Sequence, residues 1–422
     1  MNIYIIFENA NRELDYKLLL ATNLLKNNNV IIGEKNEFRI KLNKLPPGLI
    51  IEKGLRKGSL NRFKSWKAQG HKIFCFDEES LTYYNDDQYY SSNCDKGIEN
   101  YIDKVFASGQ RHYKTLSKRF SKNQIIICGI VKYELIKKKF QKLYLDEVKK
   151  IKRKYGKFIL VTSRFGNINF NRKKKINLSR LVYKDYMKDS KILFKDFEKI
   201  PEKLSYAYPN TNIVLRPHPS ENKNFWKKTL KDKKNCYTEY YGSVFPWIIA
   251  SEFVVQNRCS TGIEAFLIGK KCISFDPIYK KYFMKKLYFS IGKVFTKLSQ
   301  FTKYEIEKKE NFKKNNKYIK HYIHNYGFLN SVKIISKEID KYSKLRTKNI
   351  NLKYSVRDML VNLRQTFFGG INAFENYSLH KIGTVDMKLV NNKVKKILLI
   401  EKLKKKISIN QIGKKIFLLN YE

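Results

Sequence analysis

The sequence predicts an α/β protein made of two doubly wound, Rossmann-like halves. Short apolar runs of strand length alternate with helix-length segments over most of the first 280 residues. Two of these runs share one form: a buried strand, then polar groups, then a helix. Asn212-Ile213-Val214-Leu215 stops at Arg216-Pro217-His218-Pro219-Ser220-Glu221. Glu252-Phe253-Val254-Val255 stops at Gln256-Asn257-Arg258-Cys259-Ser260-Thr261-Gly262 and turns into Ile263–Gly269. The carboxyl ends of strands are where open α/β sheets bind ligands. An imidazole, a guanidinium, and two hydroxyls beside a glycine at a helix start suit a phosphate.

Taken in order, strands are expected at Ile3–Phe7, Val30–Gly33, Leu49–Glu52, Lys72–Asp77, Lys104–Ser108 and Gln124–Gly129. Helices such as Glu13–Lys26 and Leu60–Gln69 fall between them. This gives a first domain over 1–140. A lysine-rich helix, Leu143–Lys154, reads as the connector and defines a linker over 141–156. Lys157–Thr162 opens a second series, continued by Asn212–Leu215, Glu252–Gln256 and Lys271–Phe275, for a second domain over 157–345. Residues 167–205 read as a polar, helical excursion. Residues 346–422 read as a basic, helical C-terminal extension with one loop, Phe367-Phe368-Gly369-Gly370, and an amphipathic stretch, Val390–Leu403. No internal repeat is evident.

Composition narrows the class. No stretch reaches the roughly 18 uninterrupted apolar residues of a membrane span. Met1–Glu8 reads as a strand without a basic flank or a cleavage site, so no signal peptide is expected. The six cysteines are scattered and form no CxxC pair, which points to buried free thiols in a cytoplasmic protein. The net charge of +49 has two readings. It is either attraction to an anionic partner or the drift of a chain rich in Lys, Asn, Ile and Tyr, whose codons are A/T-rich. The charge is spread along the whole chain and carries no nucleic-acid signature, so no nucleic-acid partner is expected. Lys393, Lys395-Lys396, Lys402 and Lys404-Lys405-Lys406 alternate with apolar residues. That pattern fits a helix on the anionic inner face of a membrane, and it fits equally a helix docked on the protein with its lysines in water.

The segments Arg216–Trp226 and Pro246–Ile278 resemble the surface-carbohydrate-biosynthesis family. That family is similar to bacterial Kdo transferases and, more distantly, to teichoic-acid glycerophosphotransferases. Asn11–Gly33, Pro46–Gly54, Gly70–Leu81 and Gly156–Asn169 agree with it in order and spacing. The resemblance covers roughly residues 1–280. It implies a GT-B glycosyltransferase with two Rossmann-like domains facing a cleft. It further implies transfer of a sugar acid, such as Kdo or a related nonulosonate, from a CMP-activated donor to a capsule or lipopolysaccharide glycan. Where the family shows a Gly-Asn-Pro-Arg-like turn, this chain has Gly129-Ile130-Val131-Lys132, so a contact from that turn is not carried over.

Several residues carry the expected chemistry. His218, fixed between two prolines, would donate to a donor phosphate. Arg216 would pair with the same phosphate or support the loop, and Ser220 and Asn257 flank these turns. Ser260, Thr261 and Gly262 would bring hydroxyls and amides to the positive end of a helix, or simply cap it. Glu264 would bond a donor ribose or serve as a capping acid. Arg164 and Asn167, after Phe158–Thr162, are donor-contact candidates. Asp77, Glu78 and Glu79 end a strand of the first domain. Three adjacent carboxylates need a reason, and one acting as base or nucleophile supplies it. The alternative is a set of acids at a helix start. Glu8 and Arg12 are candidates to hold an acidic acceptor. No acid pair suits a divalent metal: Asp86-Asp87 follows no strand, so no metal and no cofactor beyond the nucleotide-activated substrate are expected. Two other classes compete with the transferase. One is a polyol-phosphate transferase using a CDP-alcohol, and the other is a non-catalytic scaffold at a membrane surface.

Overall fold

The computed structural model describes all residues except 57, 82, 84, 170–180, 279–286, 288–289, 309–315, 343–384 and 405. The Phe367–Gly370 loop and Lys405 lie outside the described residues. The chain divides into two compact units, one formed by Met1–Leu143 with Asn316–Glu422 and the other by Tyr144–Asn315.

In the first unit β1 (Asn2–Phe7), β2 (Asn29–Glu34), β3 (Leu49–Glu52), β4 (Lys72–Cys75), β5 (Lys104–Ala107) and β6 (Ile125–Ile127) form a parallel sheet. One face packs Tyr4, Ile6, Ile50 and Ile73 against Phe38 and Leu42 of helix Lys35–Leu42 and against Phe63 and Trp66 of helix Leu60–Ala68. On the other face Ile3, Ile5 and Phe7 are equally buried. Burial on both faces explains why these strands read as continuous apolar runs rather than alternating ones.

The second unit holds β7 (Phe158–Thr162), β8 (Asn212–Arg216), β9 (Cys236–Thr238), β10 (Val254–Gln256), β11 (Cys272–Phe275) and β12 (Lys293–Phe295). Their order, β12-β11-β10-β7-β8-β9, is parallel throughout and reverses between β7 and β10. This is the doubly wound arrangement, and the reversal point is where such sheets open a crevice.

Three expectations are corrected. The helix Leu145–Tyr155 is not a linker. Its Ile151 and Tyr155 lie in the same core as Phe158, Trp247 and Ile248, so it covers one face of the second unit's sheet. Residues from Asn316 onward return to the first unit instead of completing the second. There the Val332 amide donates to Glu134 Oε1 at 2.5 Å, and the His324 amide to the Ser108 carbonyl at 2.7 Å. Nothing in composition marks that return. The C-terminus is also more than a helical extension. Beyond helix Met387–Glu401, β13 (Ile407–Gly413) and β14 (Ile416–Tyr421) form a hairpin, and β14 pairs antiparallel with β2 through Ile416–Leu419. Glu37 accepts from the Lys414 and Lys415 amides and holds the hairpin turn.

The same docking settles the face of helix Met387–Glu401. Val390, Val394 and Ile397 are buried, and Lys393 pairs with Asp15 at 2.7 Å. These three apolar residues therefore pack on the protein, while Leu399 on the same helix is exposed. Among the described residues no helix is long and apolar enough to cross a membrane. All six cysteines are buried and free.

Candidate functional site

In the second unit the carboxyl ends of β10, β7 and β8 are stitched together by side chains. Glu221 is the central brace, fully buried three residues past His218. It accepts from the Phe165 amide at 3.0 Å, the His218 amide at 3.0 Å, Ser163 Oγ at 2.9 Å and Trp226 Nε1 at 2.8 Å. Burial pushes its carboxyl upward, and the four donors act against that. On the other side of the β7 loop, Asn257 Oδ1 accepts from the Arg164 amide at 2.9 Å. Arg164 Nη1 donates to the Arg258 carbonyl at 2.8 Å.

His218 sits at the end of β8, half-buried between buried prolines. Its Nδ1 accepts from the Ser220 amide at 3.2 Å and lies 2.7 Å from Ser220 Oγ. An accepting Nδ1 places the proton of the neutral ring on Nε2. Ser220 thus acts by orienting the imidazole. Gly166 allows this packing, since a Cβ there would collide with Ser220 Oγ.

Arg216 does not extend to an open edge. It is buried and donates to the Tyr241 carbonyl at 2.8 Å and the Gly242 carbonyl at 2.6 Å. Burial pulls its guanidinium down to about 10. Of its two expected roles, loop support matches these bonds.

The helix Thr261–Ile268 starts as expected, but its residues divide. Ser260 is half-exposed and its side chain makes no capping bond. Thr261 is buried, with the Cys259 thiol donating to its hydroxyl at 3.3 Å. Gly262 serves packing: a Cβ would lie 3.1 Å from Gln256 Cγ and 3.2 Å from Cys272 Sγ. Glu264 is buried in the first turn. Arg164 and Asn167 are exposed on the β7 loop. Sequence reasoning missed the strut behind this turn. Arg258, in a left-handed conformation at φ 48°, forms a buried two-point ion pair with Asp276, at 2.5 and 3.1 Å. The strand-end positions of both residues were the available signal.

The first unit carries its own charged edge. Lys35, Glu8, Lys53 and Glu78 follow the carboxyl ends of β2, β1, β3 and β4, which are neighbours in that order. Lys53 Nζ lies 2.5 Å from Glu8, 3.1 Å from Glu13 and 3.7 Å from Glu78. Lys35 reaches Glu8 at 3.5 Å. Lys17, buried, lies 3.0 Å from both Glu13 and Glu78 and donates to the Ile6 carbonyl at 2.6 Å. Burial pushes the Glu13 carboxyl up, but Lys17 and Lys53 outweigh it and hold it well below the ordinary range. Burial likewise pulls Lys53 down, and its three carboxylates more than reverse that. Tyr16 donates to Glu78.

The three adjacent acids therefore do not face one another. Asp77 is buried beside His112 Nε2 at 3.4 Å and accepts from the Glu79 amide at 3.0 Å. Burial raises its carboxyl, and His112 with Tyr89 and that amide lowers it further, to below the usual range. Glu79 pairs with Arg56 at 2.7 Å. Glu78 belongs to the lysine network, with its side chain a quarter exposed. Arg12 is exposed on the first turn of helix Ala10–Leu24. Glu13, Lys17 and Lys53 were not legible as a set, because they come from segments up to 40 residues apart. Among the described residues no cluster of three His, Cys, Asp or Glu has metal-site geometry.

No protein-family model matches the sequence, and no curated protein matches it. Solved structures do. The UDP-GlcNAc 2-epimerase of Neisseria meningitidis bound to UDP-GlcNAc is 14% identical with a TM-score of 0.53, covering 81% of this chain and 100% of its own. The Methanocaldococcus jannaschii UDP-GlcNAc 2-epimerase in complex with UDP-GlcNAc and UDP is 13% identical with a TM-score of 0.55, over 81% and 100%. The wall teichoic acid polymerase TagF is 10% identical with a TM-score of 0.52, over 82% and 89%. At such identities the likeness is one of fold: this chain has a GT-B-like fold of two Rossmann-type units.

Proposed function

We propose that the chain is a GT-B-type transferase. Its second unit takes a nucleotide-activated donor, and the activated group passes to a hydroxyl of a surface-glycan or glycolipid acceptor. The observation that carries this reading is the His218 turn. Two prolines, Ser220 and the buried Glu221 hold one imidazole in one orientation with its proton on Nε2. Fixing a donor this firmly is of little use to stability and of much use where charge develops. In the transfer, the bond from the activated carbon to the donor phosphate breaks, and negative charge grows on the leaving phosphate. His218 Nε2–H meets that charge. The exposed Ser260 hydroxyl and the start of helix Thr261–Ile268 add to it. The acceptor oxygen forms the new bond to the activated carbon, and its proton passes to a general base.

The resemblance to Kdo transferases makes a CMP-linked sugar acid the first donor to try. The solved neighbours bind UDP-GlcNAc or polymerise teichoic acid, so a UDP-sugar and CDP-glycerol belong in the same panel. TagF's shared fold supports polyol-phosphate transfer as the second reading. The test is to incubate the protein with CMP-Kdo, CMP-sialic acid, CDP-glycerol and UDP-GlcNAc, and to follow nucleotide release and products by mass spectrometry. One donor should be consumed, and His218→Ala should slow that by ~100-fold with an unchanged unfolding midpoint. Wild-type turnover in His218→Ala would sink the site assignment. Conversion of UDP-GlcNAc to its 2-epimer, with no transfer from any donor, would replace the transferase reading with an epimerase.

A further inference from the structure

Beside the His218 turn, on the β8–β9 side of the same edge, two cations flank one aromatic ring and a third lies close by. Arg216 ends β8, Lys223 opens the helix Lys223–Leu230, and Lys227 follows one turn later. The Tyr240 ring has the Arg216 guanidinium carbon 4.7 Å from its centroid and the Lys223 ammonium also 4.7 Å away. Among the described residues no carboxylate forms an ion pair with Lys223 or Lys227. Of the acids in this neighbourhood, Glu239 is taken by Lys154 at 2.7 Å. Arg216 spends its hydrogen bonds on two carbonyls, and Glu239 and Glu264 act on its charge only at a distance, without an ion pair. Burial, then Lys227 and Arg216, pull the Lys223 ammonium down to about 8, while Glu239 acts weakly the other way. Like charges held together in a partly buried place raise the free energy of the empty protein. An arriving anion removes that cost.

We propose that Lys223, with Lys227 and Tyr240, forms an anion subsite that binds a second oxyanion of the donor, distinct from the phosphate met by His218. The inference rests on the nucleotide-donor reading of this edge. Its chemistry is that of a phosphate or a carboxylate: a second phosphate of a nucleoside diphosphate, or the carboxylate of an acidic sugar. In either case Lys223 becomes fully protonated on binding, and binding takes up a proton. The subsite therefore selects for ligands that carry a second oxyanion group beside the phosphate met by His218.

Isothermal titration of the full chain tests this, with CMP, CDP, CMP-sialic acid and inorganic pyrophosphate in two buffers of different ionisation enthalpy at pH 8. Wild type should bind CDP or CMP-sialic acid about tenfold more tightly than CMP, the scale of one charged hydrogen bond. It should take up about half a proton as it does so. The preferred ligand tells phosphate from carboxylate. Lys223→Met should lose both the preference and the proton uptake, and Lys223→Arg should keep the preference without the uptake. An unchanged unfolding midpoint separates these effects from misfolding. Pyrophosphate binding with proton uptake that vanishes in Lys223→Met would uphold the subsite even if no nucleotide binds. If nucleotides bind and Lys223→Met retains both preference and uptake, the subsite is wrong and the donor reading stands. If wild type binds neither nucleotide nor pyrophosphate, both are wrong.

Discussion

The Arg258–Asp276 pair offers a quantitative test of how the second unit holds its edge. Both side chains are enclosed, and Asp276 Oδ1 also accepts from the Ile278 amide at 3.0 Å. Asp276→Ala leaves a buried guanidinium without its counter-charge. Breaking a buried pair in this way costs about 3–5 kcal/mol, mostly for the stranded charge rather than for the lost attraction. For a unit of this size each kcal/mol moves the melting temperature by about 2–4 °C, so the shift should be on the order of 10 °C. Arg258→Gly added to Asp276→Ala removes the stranded charge. It also relieves a non-glycine residue at φ 48°, a conformation that costs roughly 1–2 kcal/mol. The double variant should therefore be more stable than Asp276→Ala alone. Two of the three tryptophans, Trp226 and Trp247, are buried in this unit, so their fluorescence in a urea titration reports its unfolding. A double variant no more stable than the single one would show that the stranded charge is not what makes the single change costly.

Three further outcomes follow from the same structure. Glu13 is held ionised by Lys17 and Lys53, so its folded value is depressed, and its stabilisation is present above about pH 4.3 and lost as pH falls below that. The urea midpoints of wild type and Glu13→Gln should differ most at neutral pH and draw together progressively as pH falls below about 4 toward the depressed folded value; a gap that widens on acidification contradicts the network. A chain ending before Ile407 strips β14 from β2 and removes the buried side chains of Ile416, Phe417 and Leu419. At about 1.5–3 kcal/mol each, their loss should leave the first unit unfolded or insoluble, and a soluble truncation with the wild-type midpoint would refute the docking. Donor turnover should survive excess EDTA, because His218 and a helix start are given the role of a metal; full loss restored by Mg²⁺ would mean a missed metal site.

Much of the fold was legible because parallel strands buried on both faces write themselves as apolar runs. Ile3–Phe7, Leu49–Glu52 and Phe158–Thr162 lie where those runs predict. The short edge strands Cys236–Thr238 and Lys293–Phe295 did not, since three residues carry too little pattern. The hairpin of β13 and β14 was hidden behind the preceding lysines of 404–406, which read as a helix face, while the alternation that seats Ile416 and Phe417 spans only a few residues. At the site, the proline-flanked histidine and the helix start stood out as local motifs. Glu221 lay inside the same motif, yet its role depends on the β7 loop and the helix Lys223–Leu230 meeting it in the folded unit. Arg216 was open to two roles, a ligand contact or loop support, and its bonds to the Tyr241 and Gly242 carbonyls fit the second.

The central claim is that a donor phosphate is bound at the His218 turn, and a structure of the protein with CMP tests it most directly. The account predicts a phosphate oxygen within about 3.2 Å of His218 Nε2, with Ser260 and the start of helix Thr261–Ile268 beside it. A nucleotide ordered elsewhere on the molecule, with the His218 ring untouched, would contradict it.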